Sequence, residues 1–184
     1  MNRPRRSDPD RRTRILEATL DVIAQHGSPG ATYRSVAEAA DVPLGSMTYH
    51  FPTRDEMLLS AFQLLADEQH RRFDAILADL HEGEDPRDRI VELIVTLGAG
   101  YGRDMVLSAE LYALAVRDAR YRELIQAWMH KSRRSIERHF PADLAATIDA
   151  LQEGLVLHSH ISAEPFDAER IRRAVYSLIP APSR

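Results

Sequence analysis

Residues Thr32 to Phe51, TYRSVAEAADVPLGSMTYHF, leave this chain few choices. Ser35 to Ala40 tolerate helix, with small side chains at Ala37 and Ala40. Small residues let a second helix approach closely at a steep angle. Asp41, Val42 and Pro43 break the segment. Asp hydrogen-bonds local backbone, and a proline disfavours helical geometry in the residue before it. Pro43 itself suits the first turn of a following helix, where its missing N–H has no helical partner to lose. The spacing predicts that helix over Leu44 to His50. Val36, Val42 and Met47 are placed for a small core. Gly45, Ser46, Thr48, Tyr49 and His50 are left for the surface, with no acid among them. A surface of that kind can approach phosphates and base edges.

The same run resembles the DNA-binding domain of TetR/AcrR-type transcriptional regulators. The likeness is carried by Thr32, Arg34, Val36, Ala37, Ala40, Val42, Gly45, Ser46, Met47, Tyr49, Phe51, Pro52, Thr53, Arg54, Asp55, Glu56, Met57 and Leu58. It is strong over the first third of the chain and implies a helix-turn-helix that reads duplex DNA. The residues implied for DNA are Thr32, Arg34, Leu44, Gly45, Ser46, Thr48, Tyr49, His50 and Arg54. Two positions depart from the family pattern. Thr48 stands where the family commonly has a Tyr that contacts the DNA backbone. Leu44 stands where Lys or Gln often begins the recognition helix.

The whole chain has 184 residues and no cysteine, which excludes disulfides and thiolate metal sites and fits a reducing compartment. No apolar run reaches the roughly 20 residues of a membrane helix. The N-terminal arginines precede no apolar stretch, so no signal peptide is expected. The expected location is cytoplasmic, with no membrane partner and no cofactor. The net charge of −4 is unevenly spread: residues 1 to 54 sum to +2 and residues 55 to 184 to −6. A basic end beside an acidic body fits an end that meets a polyanion.

In chain order, Met1 to Ser7 reads as a basic arm. A first helix follows from about Pro9 to Gln25, capped by Asp8 and stopped at Gly27 to Gly30. Thr53 with Glu56 forms a capping box for a helix of up to some 28 residues, long enough to serve as a lever. Asp85, Asp118 and Asp167 cap later helices, and Gly98, Gly100 and Gly102 mark a corner. That glycine run has neither a preceding strand nor a following Lys-Ser/Thr, so it is no phosphate loop. Nine or ten helices and no strand make the chain all-α. Its expected division is a helix-turn-helix domain over 1–52 and a helical effector-binding and dimerisation domain over 53–184.

No catalytic or metal site is expected. His158 and His160 are two apart and face differently on a helix. Ser46 and His50 share a face but lack an orienting carboxylate. Phe62, Gln69, Phe73, Tyr101, Met105, Glu110, Tyr112 and Trp128 are large or polar residues on apolar helices and are the candidates for an effector pocket. Glu110, set within MVLSAELYALAV, is the expected buried charge and points to an aromatic or cationic effector. The segment LYALAVRDARYRELIQAWMHKSRRSI resembles the betaine-regulator subgroup of the same family. Leu144, Ile148, Leu151, Gly154, Leu155 and His158 repeat at helical spacing and suit a two-fold contact. The resemblance places that contact on helices 120–139 and 142–163. The resulting expectation is a repressor acting as a homodimer on a palindromic operator and released by a small molecule. Two alternatives stay open: a helical enzyme or lipid carrier, and a DNA-bound activator or architectural protein without a ligand.

Overall fold

A computed structural model describes residues 10–78, 80, 83–100 and 102–180. Among these residues there are nine helices and no strand. The chain divides into two compact units, one ending at Leu65 and one beginning at Ala66. The boundary falls inside one helix.

The first unit holds α1 (Arg11–Gly30), α2 (Tyr33–Ala39), α3 (Leu44–His50) and the first half of α4 (Arg54–Leu77). The expected cap Asp8 and start Pro9 lie outside the described residues, as does the arginine arm; helix is seen from Arg11, with Asp10 at the N-cap. Gly27 breaks the helical path at φ 69°, ψ 169°, and the last turn up to Gly30 is a separate piece. Only glycine takes that backbone without strain.

The turn after α2 closes in a specific way. The Val42 N–H donates to Ala37 O at 3.0 Å and the Asp41 N–H to Glu38 O at 3.2 Å. This is a Schellman motif, with Asp41 in the left-handed position that glycine usually takes (φ 51°). Asp tolerates that conformation better than most L-residues. Ile15, Leu20, Ile23, Val36, Met47, Phe51 and Met57 are buried in this unit.

The second unit holds the rest of α4, then α5 (Pro86–Gly100), α6 (Gly102–Ala115), α7 (Ala119–Ile136), α8 (Ala142–Ile161) and α9 (Ala168–Leu178). Helix α5 packs on both α8 and α9, and α7 packs on α6 and α8. Phe73, Leu77, Ile90, Leu93, Ile94, Ile136, Ile148, Ile171 and Val175 are buried in one cluster. The caps follow the sequence reading: Asp85 accepts from Arg87 N, Asp118 from Arg120 N and Asp167 from Arg170 N. The glycine corner does not. Gly98 lies inside α5, where a Cβ would stand 2.7 Å from Phe166 Cε2 and 2.9 Å from Ser159 Oγ. Its role is close approach; among the described residues α5 ends at Gly100 and α6 starts at Gly102.

The left-handed Asp41 gives a stability prediction. Asp41→Val places a β-branched residue at positive φ and should cost about 1–2 kcal/mol, whereas Asp41→Gly should leave stability equal or higher. Urea unfolding of the two variants checks the order.

Candidate functional site

Two sites emerge, one in each unit. In the first unit, α3 is only seven residues long, too short to hold itself. It is anchored on its inner side by Met47 at 0% exposure and Phe51 at 1%. Tyr33 on α2 donates its hydroxyl to Phe51 O at 2.6 Å, tying α2 to the end of α3. The Arg12 guanidinium lies over the Phe51 ring at 4.9 Å. Held this way, α3 turns Leu44, Gly45, Thr48 and Tyr49 outward; Tyr49 is 83% exposed and Leu44 55%. Ser46 and His50 flank that stripe and are half-buried. Tyr49 and His50 meet edge to face at 5.1 Å.

Thr32 and Arg34, at the start of α2, are exposed. The Thr32 hydroxyl accepts the Ser35 N–H at 3.1 Å, and Ser35 Oγ accepts the Thr32 N–H at 2.9 Å. Thr32 therefore caps α2 whatever else it touches. Arg54 differs from its expected place. Its Nε donates to Ala31 O at 2.9 Å and its Nη2 to Ser28 O. The guanidinium is committed to the α1–α2 junction and does not stand free beside α3.

Gly45 is informative for the opposite reason to Gly98. A Cβ there would meet nothing within 4 Å. The fold does not need glycine at this exposed point, although glycine in a helix costs about 1 kcal/mol against alanine. Close approach by a partner outside the chain is the reading that the Gly45→Ala variant below tests.

The second site is a cavity of about 70 Å³ within the second unit. Of the residues expected to line a pocket, Gln69, Phe73, Met105, Tyr112 and Trp128 do so. Phe62 does not: it is fully buried in the first unit, on the part of α4 before the boundary. Tyr101 lies outside the described residues. Glu110 is half-exposed and away from the cavity. Met105, Ser108 and Tyr112 share one face of α6 at three- and four-residue steps. Glu110, two residues from both Ser108 and Tyr112, points some 200° round the helix from each.

The cavity's acids are others: Asp104, Asp149 and Glu153. Arg72 Nη2 bridges Asp104 at 2.8 Å, and Arg133 Nε bridges Asp149 at 3.0 Å. Glu153 Oε1 accepts the Tyr112 hydroxyl at 2.8 Å. Burial pushes the Glu153 carboxyl above the usual carboxylate range, the neighbouring Asp149 adds to the rise, and the Tyr112 bond partly offsets it. Burial also raises Asp149, against the pull of Arg133. The Tyr112 hydroxyl is raised by burial and by Glu153. Sequence reasoning missed these acids, though α8 carries a signal. Asp149, Gln152, Glu153, Val156 and His160 fall on one face, a polar stripe on an otherwise apolar helix.

The candidate two-fold residues also separate. Ile148 is at 0% exposure inside its own chain's core, and Leu144 packs against that core. Ile148 has no surface left for a partner. Leu151 and Leu155 pack against that core too, and with Gly154 and His158 they line an open groove of about 390 Å³, shared with Phe166 and with Arg170 and Ala174 of α9. No helix of the described residues is long and apolar enough to cross a membrane, and they hold no cluster of three or more His, Asp or Glu side chains fit for a metal ion.

Comparison with known proteins agrees with this geometry. The family of bacterial regulatory proteins, tetR family, matches residues 15–61. The regulator CymR of Pseudomonas putida is 31% identical over 126 residues, 67% of this chain and 60% of its own length. Regulators named BetI align along most of the chain, at 26% identity over 184 residues for that of Stenotrophomonas maltophilia. Among solved structures, SCO1917 of Streptomyces coelicolor A3, a member of the TetR family, is 31% identical with a TM-score of 0.82, covering 94% of this chain and 99% of that one. The multidrug binding protein EbrR, complexed with imidazole, is 31% identical with a TM-score of 0.79, covering 96% and 98%.

Two substitutions test the site in the first unit. Gly45→Ala should raise unfolding stability by about 0.5–1 kcal/mol and at the same time weaken DNA binding, measured by fluorescence anisotropy. Equal DNA affinity would remove the close-approach reading. Arg54→Ala removes charge-assisted bonds to two carbonyls and should destabilise the first unit by about 1.5–3 kcal/mol. Thermal unfolding measures that loss.

Proposed function

The chain belongs to the TetR family of bacterial regulatory proteins and is a transcriptional regulator, and we propose that it is a repressor, homodimeric on a palindromic operator and released by a small molecule held in the second unit. The observation that carries the DNA reading is the exposed, acid-free stripe of Leu44, Gly45, Thr48 and Tyr49 on α3. Arg34 and Thr32 at the start of α2 add a cation and a hydroxyl for phosphate. Ser46 and His50 flank the stripe within reach of base edges. Thr48 reaches less far than a tyrosine, so phosphate grip rests more on Tyr49 and Arg34.

One seven-residue helix reads too few base pairs for a useful site, which favours a two-fold dimer. The groove between α8 and α9 supports it. Leu151 and Leu155 are only half-buried there, and Ile161 and Leu178 are 69% and 62% exposed. A second copy would cover those apolar side chains. The two-fold contact then uses α8 with α9 in place of α7 with α8.

The effector reading rests on the cavity of aromatic and acidic side chains. EbrR, a relative at about 30% identity, is described in complexes with imidazole, malachite green, ethidium and proflavin. Phe73, Tyr112 and Trp128 beside Glu153 suit an aromatic or cationic molecule of that kind. The repressor reading follows KstR, a repressor 42% identical over 52 residues of this chain.

Selection from a random-duplex library should return a palindrome, and binding to it should weaken steeply as salt rises. No enriched duplex, or one without two-fold symmetry, overturns the DNA reading. Leu151→Glu and Leu155→Glu should each give a monomer by light scattering and lose operator affinity by more than tenfold. A wild type that scatters as a monomer at micromolar concentration overturns the dimer.

A further inference from the structure

The cavity of the second unit carries an unbalanced charge and several unmatched hydrogen-bonding groups. Arg72 answers Asp104 and Arg133 answers Asp149. Among the described residues, no guanidinium or ammonium pairs with Glu153, whose only polar contact is the Tyr112 hydroxyl. Gln152 is 5% exposed, Ser108 4% and Ser132 5%; all three line the cavity, and none has a side-chain hydrogen bond among the described residues. Gln69 Nε2 is buried there without a partner as well. Buried polar groups in native proteins nearly always find partners. Several left open toward one cavity point to what fills it. The space, about 70 Å³, holds roughly five water-sized spheres and is less than half of the roughly 150 Å³ that accepts benzene, so a single ring enters only as the lining opens and several rings need far more.

We infer that this cavity takes a small molecule with a single positive charge and one aromatic ring, its cation set on Glu153 and its polar edge on Gln152. This rests on the effector reading above and narrows it. Charge matching selects the monocation. One charge neutralises Glu153, whereas a second would have to compete with Arg72 or Arg133 for an acid already bridged. Tyr112 and Trp128 supply aromatic faces for the same ligand.

The inference has a pH consequence. Around Glu153 stand Gln69 and Arg72 from α4, Asp104 and Tyr112 from α6, Arg133 from α7, and Asp149 and His160 from α8. The raised Glu153 carboxyl holds a proton to higher pH than an exposed one does. A cation favours the ionised form, so its affinity is full above that titration and is lost as pH falls through it. His160 also lines the cavity, and substitution separates it from Glu153.

The test uses the full chain, a charge-matched probe series and isothermal titration calorimetry. Benzylammonium carries one charge, benzyl alcohol none and 1,4-bis(aminomethyl)benzene two, on the same ring. Benzylammonium should bind at least about tenfold more tightly than benzyl alcohol and more tightly than the dication. In Glu153→Gln the preference over benzyl alcohol should vanish while benzyl alcohol still binds, which shows the cavity is intact. Benzylammonium affinity should fall by up to about tenfold per pH unit on the acid side. That slope should survive His160→Asn, and benzyl alcohol should show none. Equal binding of the alcohol, tighter binding of the dication, or a preference retained in Glu153→Gln overturns the inference but leaves the effector reading in place. Binding by none of the three, alongside release from DNA by a larger or neutral molecule, overturns the inference alone. Operator binding that no small molecule relieves overturns both.

Discussion

Tyr33 O–H to Phe51 C=O is the bond on which the exposed surface of α3 depends. Helix α3 has seven residues and begins at Pro43 without a side-chain cap. Nucleating so short a helix is unfavourable in isolation. It exists because Met47 and Phe51 are buried at one side and because the Phe51 carbonyl, at its C-terminal end, has a donor. Burial raises the Tyr33 hydroxyl above its usual pKa, and Glu56 adds to it, so it stays a protonated donor at any physiological pH. With the inner face fixed, rotation of α3 about its axis is fixed too. The outward stripe is then a geometric consequence of the core.

The second unit settles a different conflict. Burying carboxylates costs stability unless each is paired. The chain pairs Asp104 and Asp149 with arginines and leaves Glu153 with a tyrosine. Two other acids of the same unit, less buried, are fully answered. Asp74 accepts from Ser135 at 2.5 Å and from Arg138 at 2.6 Å, which holds its carboxyl below the usual range. Asp88 accepts from Arg172 at 2.7 Å and from the Tyr176 hydroxyl at 2.8 Å. Against those neighbours, the Glu153 arrangement is a local exception and not a habit of the fold. Exceptions to consistent burial and pairing are expected where a protein works.

What was legible in the sequence was local. Thr32 to Phe51 carries its own breaks, caps and inward residues within twenty positions, so helix, turn and exposed face could be read directly. The caps at Asp85, Asp118 and Asp167 were legible for the same reason. Long-range matters were not. Arg54 finds its carbonyls at Ser28 and Ala31, more than twenty residues back, and no spacing announces that. Glu110 looked buried because its neighbours are apolar, but helical phase decides burial, and two residues from Ser108 is the wrong phase. Ile148, Leu151 and Leu155 share the apolar repeat of α8, but to different depths. Ile148 is buried in the chain's own core, while Leu151 and Leu155 pack against that core and also border the groove.

The division of α8 is what lets one helix serve three purposes. Ile148 and Val156 hold it to the core, Leu151 and Leu155 face the groove, and Asp149, Gln152 and Glu153 face the cavity. Cavity and groove therefore share a helix only about 12 Å across. A rigid packed helix cannot shift on one side without shifting on the other. A ligand that repositions Glu153 by a fraction of an ångström acts on the same backbone that carries Leu151 and Leu155. If the proposed effector and the proposed two-fold contact use these surfaces, coupling between them needs no chain of intermediate residues. It needs only that the two surfaces belong to one element.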